Sequence, residues 1–598
     1  MAKRFVRILG LAALVALAAT LVIWEFGGGS VRLAGLRVSA RSWDRPFLVA
    51  LATGAAFIYF GGRPIAEQWI SQIRRRFRPA IAVGILCVAA AASSFFLGTH
   101  VASGSDPYGY MSQADLWRRG ALEQPQVFAH DVSWPDAQWS FTPLGYRPSV
   151  SGQGIVPTYP AGYPLLLAAG QVLAGQAGAL LIVPLCFALA IWATYRLGEL
   201  VSSPMCGFVA ASLLAVSPAV SYMALWTMSD IPALALWTLC LATVLKPSRR
   251  APLIAGLFAA VAILIRPNLF PAAGVIALWL FFERLPMRQR VMRVAEFVLA
   301  AIPGIAVTAL INARLFGSPL RSGYGGLDQL FAFANVRVNL GHWLSWLTMS
   351  ESWFVFLAFV PLILPLRKWW LTRDNRALAL LGPFVLAIVV MYIAYEPFNA
   401  WWYLRFLLPA FPPLMVGAGI VATRMAGDRA WRTLAAVALT LLFGLHLLHR
   451  SMDLLGSPSP KTLEARYYNI AKFADAKTPP NAVFLSQQHS GSLRYYAHRL
   501  TMRFDYLNED RIPDVLAWCR ERGVHPYVIV EEWELAIFRK RFPNWSKALE
   551  PSLVYGYGGA QQVFIYDALA TGEPFEKIPA GPVPLVPQPM PGRNIALR

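Results

Sequence analysis

Two aspartates and two arginines of this 598-residue chain lie where apolar runs give way to polar ones, and their types suit acid–base and phosphate chemistry. Asp106 opens the segment SDPYGYMSQADLWRRG, and Asp230 lies in WTMSDIPA. A carboxylate fixed at the mouth of a cavity can take a proton from an attacking hydroxyl. Two carboxylates can divide the work of base and orienting group, or hold a divalent cation, Mg or Mn, through oxygen ligands. Both aspartates also have a purely structural reading, because Asp with Pro close behind it is a common helix start. Arg266 in ILIRPN and Arg405 in YEPFNAWWYLRFLLPAFP are the matching cations. A guanidinium grips a phosphate at two points. Equally, an arginine at a membrane surface can snorkel, and Trp401, Trp402 and Tyr403 beside Glu396 and Asn399 can be an ordinary interfacial aromatic belt. His130 and His489 read more simply as polar surface than as bases. The chain has no Walker phosphate loop, no HExxH and no dinucleotide fingerprint.

The elements that must position these groups are membrane helices. The chain is 57% hydrophobic and 14% charged, against about 25% charged in soluble domains. Apolar runs of spanning length recur near 8–24, 47–61, 79–99, 178–196, 204–219, 230–246, 251–265, 268–283, 294–312, 353–366, 377–395, 404–423 and 432–449, about thirteen in all. The net charge of +21 sits in short loops between these runs, which is how a membrane protein sets its orientation and not the footprint of a nucleic-acid binder. Five scattered cysteines, four of them in apolar segments, form no metal-ligand spacing and no disulfide framework.

Charge parity settles one ambiguous run, AGYPLLLAAGQVLAGQ at 161–176. If it does not cross, the basic clusters 246–250, 284–293, 367–376 and 424–432 fall on the same side as Arg74–Arg78 and the basic N-terminus, which is then cytoplasmic. The run is short and carries Pro160 and Pro164 at its start, as an interfacial or re-entrant helix would. The arginines of 26–46 and 314–352 are exceptions to this parity. The resulting division is 1–78, N-terminal helices and a basic cytoplasmic loop; 79–455, a membrane domain with outer loops 100–177 and 314–352; 456–567, a small α/β domain outside the membrane; and 568–598, a Pro-rich disordered tail. The first run follows Lys3, Arg4 and Arg7 and reads as an uncleaved anchor.

The order Asp–Pro–x–x–Tyr, YPAGYPLLLA, YRLGELVSSP, LLAVSPAV, SDIPALAL, IRPN and WWYLRFLLPAFP resembles the GT-C membrane glycosyltransferases over roughly residues 80–450. The resemblance implies an integral membrane enzyme of a bacterial inner membrane, moving a sugar from a polyprenyl-phosphate donor to a glycan, lipid or protein hydroxyl on the periplasmic side. It makes Asp106 the first-loop catalytic aspartate and Asp230 the acid after the next outward-going span. Arg405 becomes the late arginine near the carrier phosphate, with Arg266 a second cation. Tyr108, Tyr110, Tyr159 and Tyr163, with Glu396, Asn399, Trp401, Trp402 and Tyr403, become pocket candidates. Two features depart from the family: two extra spans precede the Asp loop, and that loop lacks an obvious Asp–Glu pair, which argues against a metal-dependent mechanism. Two other classes fit the composition, a carrier-lipid flippase or transporter and a non-catalytic subunit of a glycan assembly complex. A transporter would carry acids within its spans and internal repeats, whereas these acids sit at outer rims.

Overall fold

In hydrocarbon every peptide group needs an internal partner, so apolar runs fold as helices. A computed structural model of the chain describes residues 2–27, 29–33, 36–40, 42–326, 330–364, 375–426, 430–456, 459–558, 561–569, 575 and 583–591. Among these, seven helices are long and apolar enough to cross a membrane, or nine if two sharply bent pairs each count as one span. Four shorter apolar helices, Pro204–Val216, Asp230–Val244, Ala251–Ile265 and Pro267–Phe281, accompany them. Asp230–Val244 is apolar all round and buried along nearly its whole length, as a helix at the centre of a bundle must be.

The 161–176 run is a helix of its own. Within Gly162–Val201 the backbone leaves helical geometry at Ala174 and Gly175. The chain doubles back there, so that the backbones of Gly170 and Gly178 touch. Gly175, at φ 59° and ψ −153°, occupies a region open essentially to glycine alone.

Two segments differ from the sequence reading. The 314–352 stretch, expected as a loop, contains the helix Asn335–Glu351, which bends by 107° into Trp353–Ile363. Its sequence mixes Asn, Arg, His and Ser with apolar residues, which hides the period. The buried Glu351 accepts hydrogen bonds from Ser217 Oγ (2.8 Å) and Ala219 N (3.1 Å), answering the open N–H groups of a short helix at Pro218–Met223. The 26–46 segment contains an antiparallel hairpin, Gly29–Leu33 with Leu36–Ala40. The N-terminal helix Ala2–Phe26 is tied to Ala430–Leu455 by Glu25, which meets His446 Nδ1 at 2.8 Å and His449 Nδ1 at 3.1 Å.

The C-terminal region forms a five-stranded sheet in the order 500–502, 483–485, 526–531, 561–567, 551–557, parallel across the first three strands and antiparallel across the last two. It shares a core with the first outer loop: Phe141 and Trp134 of the loop pack on Trp518 at ring distances of 5.2 and 6.2 Å. The buried Arg494 donates to Gln126 Oε1 (3.1 Å) and to the Phe141 carbonyl. Most of the 568–598 stretch lies outside the described residues, but 583–591 is held in place rather than loose. A proline-rich strand has carbonyls without matching N–H groups, and here His100 Nδ1 meets Leu585 O at 2.6 Å and His498 Nε2 meets Met590 O at 3.1 Å.

Gly175→Val forces a branched side chain into that backbone region and is expected to cost roughly 1–3 kcal/mol, read as a lower thermal unfolding temperature of the detergent-purified protein. Gly274→Ala, with no atom within 4 Å of the added carbon, should leave that temperature unchanged or raise it.

Candidate active site

Both aspartates begin helices, and neither serves as the cap. The helix Asp106–Arg118 starts at Asp106 itself, and Asp230–Val244 at Asp230; the preceding Ser105 and Ser229 make no side-chain capping bond. Both carboxylates turn to arginines instead. Arg405 Nη1 donates to Asp106 Oδ2 at 3.0 Å, and Tyr159 OH donates to Asp106 Oδ1 at 2.7 Å. Arg266 Nη2 lies 3.0 Å from Asp230 Oδ1, an ion pair without hydrogen-bond alignment. The two pairs adjoin: Arg266 Nη1 donates weakly to the Arg405 carbonyl at 3.4 Å, and Phe406 presents its ring to both guanidiniums, 5.5 Å from Arg405 and 5.8 Å from Arg266.

Arg405 is carried on an unusual element. Trp401–Ala410 is a ten-residue 3₁₀ helix running into the α-helix Phe411–Ala426. Pro409, Pro412 and Pro413 lack the N–H groups that α-helical bonds to residues 405, 408 and 409 would need. With three residues per turn, Trp402 and Arg405 fall on one line along its surface. Both line a cavity of about 280 Å³ together with Asp106, Tyr403, Tyr222 and Glu464. A larger and more open depression beside Val150 and Arg321 has no acid in its lining.

Of the residues singled out in the sequence, Asp106, Arg405, Trp402 and Tyr403 meet at this cavity. Trp401 packs at 4.8 Å on Tyr222, which lines it, and Tyr159 reaches it through Asp106. Asp230 is only 1% exposed and does not line the cavity; its carboxylate neutralises Arg266 behind the site. Tyr110 and Tyr163 are buried in the stack that backs Asp106, Tyr110 at 4.4 Å from Tyr159 and 4.9 Å from Tyr163. Tyr108 faces away, toward Tyr146 (5.8 Å) and Tyr495 (6.4 Å). Positions two apart on a helix point about 200° from each other, so Tyr108 and Tyr110 cannot share a face. Glu396 and Asn399 are exposed and outside the cavity lining. Tyr222, Trp226 and Glu464 were not anticipated; the first two are aromatics a few residues before Asp230, a signal of the same interfacial kind as the Trp401–Tyr403 group.

The donor set does not suit a divalent cation. Each aspartate is matched to its own guanidinium, and among the described residues no group of three His, Cys, Asp or Glu side chains is placed to hold a metal.

Glu464 enters the cavity from the C-terminal helix Pro460–Lys477, whose Lys461 Nζ donates to the Phe96 carbonyl at 2.8 Å. Beneath it lies a buried polar network. Arg466 joins Glu464 (3.0 Å) to Glu531 (2.7 Å), and His489 Nε2 meets Glu531 at 2.9 Å. Burial works to raise the Glu531 carboxyl, but the His489 and Arg466 contacts outweigh it and hold the group at about 2. Nearby Glu534 is pushed up to about 8 by burial first, and by the Glu531 charge.

The chain has the fold of the GT-C superfamily of membrane glycosyltransferases. ArnT from Cupriavidus metallidurans, solved bound to undecaprenyl phosphate, superposes with a TM-score of 0.52 and 14% identity, over 82% of this chain and 99% of that one. Also similar are the archaeal oligosaccharyltransferase AglB from Archaeoglobus fulgidus, in complex with an inhibitory peptide and a dolichol-phosphate (TM-score 0.47, 14% identity, 77% of this chain and 70% of that), and the mycobacterial arabinofuranosyltransferase AftD (0.47, 16%, 75% and 35%). No protein-family profile and no curated protein sequence matches the chain.

Removing one member of a buried ion pair leaves an uncompensated charge, at a cost of about 3–5 kcal/mol. Asp230→Asn is therefore expected to lower the unfolding temperature more than Asp106→Asn, since the Asp106 side chain is 26% exposed. Asp230→Asn combined with Arg266→Met should recover much of the loss. For pH, Glu534 is raised in the folded state, so its contribution is full below about 4.5 and is lost as pH climbs through about 8. The unfolding temperature should fall between pH 5 and 8.5, and Glu534→Gln should flatten that fall.

Proposed function

We propose that this protein is a membrane glycosyltransferase that moves a sugar from a polyprenyl-phosphate-linked donor to an acceptor hydroxyl, with inversion at the anomeric carbon. The observation that carries the reading is the placement of Asp106 and Arg405, 3.0 Å apart, in the lining of one cavity where the helical bundle meets the C-terminal region. That is a carboxylate beside a phosphate-gripping cation, on a fold shared with a protein solved bound to undecaprenyl phosphate.

The acceptor oxygen attacks the anomeric carbon, its proton passes to Asp106, and the bond from that carbon to the phosphate oxygen breaks. Polyprenyl phosphate leaves as a stable anion, so cationic stabilisation matters more than a strong general acid. Arg405 supplies it, and Arg266, neutralised by Asp230, braces the Arg405 backbone from behind. When a phosphate takes over Arg405, the Asp106 carboxylate is released to face the acceptor hydroxyl, so donor binding and exposure of the base are coupled. Tyr159 keeps the carboxylate oriented throughout. Holding donor and acceptor in one cavity supplies much of the remaining rate.

In this reading each bent pair and each shorter apolar helix crosses once, thirteen crossings in all. The cavity lies at one end of the bundle. At the other, Glu283 meets Arg293 (2.6 Å) and Arg376 (3.6 Å) among the basic clusters assigned to the cytoplasmic side. The C-terminal domain is then periplasmic, in a bacterial inner membrane.

The test is single-turnover transfer with radiolabelled undecaprenyl-phosphate hexoses and pentoses, wild type beside variants. Wild type should transfer, or slowly hydrolyse, at least one donor. Asp106→Asn should slow that reaction roughly 10²–10⁴-fold, the usual weight of a general base, with carrier binding retained. Arg405→Met should weaken binding of undecaprenyl phosphate itself. A wild type that binds the carrier but acts on no donor would overturn the proposal in favour of a flippase or a non-catalytic subunit.

A further inference from the structure

The cavity is walled by two parts of the chain, and the part outside the bundle contributes a carboxylate. Glu464 stands in the second turn of Pro460–Lys477 and lines the same space as Asp106 and Arg405. Its position is fixed. Lys461 ties the helix to the end of Pro79–Leu97 through the Phe96 carbonyl, and Tyr467 OH donates to Gln488 Oε1 at 3.3 Å beside Gly104 of the Asp106 loop. Arg466 holds Oε1 of Glu464 at 3.0 Å, while among the described residues no donor meets Oε2. That arrangement pre-orients a carboxylate and leaves one oxygen to accept a hydrogen bond from whatever enters the cavity.

Its surroundings define the chemistry it would recognise. Tyr222 and Trp402 line the same cavity, their rings 6.2 Å apart and within 22° of parallel, and Trp402 is 41% exposed. Aromatic faces beside a fixed carboxylate offer the apolar C–H face of a sugar ring a flat wall and one of its hydroxyls a strong acceptor. The charge balance then discriminates. Glu531 is answered by His489 as well as Arg466, whereas Glu464 has only a share of Arg466, so its unpartnered oxygen presents negative charge to the cavity.

We propose that Glu464, with Trp402 and Tyr222, forms the subsite that holds the sugar of the donor, accepting one of its hydroxyls and excluding sugars that carry a carboxylate. This inference rests on the glycosyltransferase reading, because it takes the cavity to be the donor site. It gives the C-terminal domain a part in selecting substrate, rather than only covering the site.

The experiment is equilibrium binding to the full-length protein in nanodiscs, which needs no turnover. The probes are undecaprenyl phosphate, undecaprenyl-phosphate glucose and undecaprenyl-phosphate glucuronate. Wild type should bind the glucose-bearing lipid more tightly than the bare carrier and the glucuronate-bearing lipid more weakly than the glucose one. Glu464→Gln should weaken glucose-lipid binding roughly tenfold, the weight of a hydrogen bond to a charged group, leave the bare carrier unchanged, and narrow the discrimination against glucuronate. Trp402→Ala, at an exposed position that should not disturb folding, should also weaken the glucose lipid selectively. Equal weakening for bare and sugar-bearing carrier in Glu464→Gln would make Glu464 a structural residue and overturn the subsite, as would no change for either. Sugar-selective binding lost in Glu464→Gln, but with no transfer by wild type, would sink the transferase reading and leave the subsite standing.

Discussion

An apolar bundle that keeps two arginines and two aspartates at its rim must neutralise them locally, because a lone ion removed from water costs several kcal/mol. Asp106 with Arg405, and Asp230 with Arg266, meet that demand, and in doing so they join segments far apart in the chain. The Asp106 helix is locked to the Trp401–Ala410 segment, and the start of Asp230–Val244 to the turn after Ala251–Ile265. Phe406 lies against both guanidiniums, so a change in one pair is felt at the other. The inner pair is sealed and works as a strut. The outer pair, partly open to the cavity, is the one whose partners can be exchanged.

The same logic extends into the water-facing part. The first outer loop has few regular elements of its own, a three-stranded patch and short helices, and is too small to bury a core alone. It borrows one from the C-terminal sheet through Trp134, Phe141 and the fully engaged Arg494. Asp106 stands at the root of this loop, so the position of the carboxylate depends on a domain that begins some 350 residues later. That dependence explains why Tyr108 packs toward Tyr495 while Tyr110, two residues further along, packs into the membrane bundle.

Much of this was legible in the sequence, for identifiable reasons. Apolar runs and basic loops dictate helices and their ends, and the strand-like NAVFLS and HPYVIV and the Gly-Gly hairpin at 551–567 appear as expected. The pairing of acids with arginines was not legible, because it is set by how distant helices pack, and local sequence favoured a capping role for both aspartates. Treating Tyr108 as a pocket residue overlooked the helical period. Glu464 was hidden for the opposite reason: in KTLEARYYNIAKFADAK it looks like one more charge on a solvated helix face. The helix Asn335–Glu351 escaped notice because several of its polar residues, Asn339, Ser350 and Glu351, are buried, and Asn339 Nδ2 donates to the carbonyls of Ile393 (3.0 Å) and Tyr395 (2.7 Å).

The 3₁₀ geometry of Trp401–Ala410 has a mechanical side. Each residue of a 3₁₀ helix advances the chain by about 120° around the axis, against about 100° in an α-helix. Rewinding the three steps between Trp402 and Arg405 would swing the guanidinium about 60° away from the indole and draw it along the axis by about 1.5 Å. The segment is thus a short screw with the Arg405 charge mounted on its thread. Pro409 within it, with Pro412 and Pro413 just beyond, holds the tighter winding, and the reach of Arg405 toward Asp106 is set by the pitch of the backbone as much as by the side chain's own torsions.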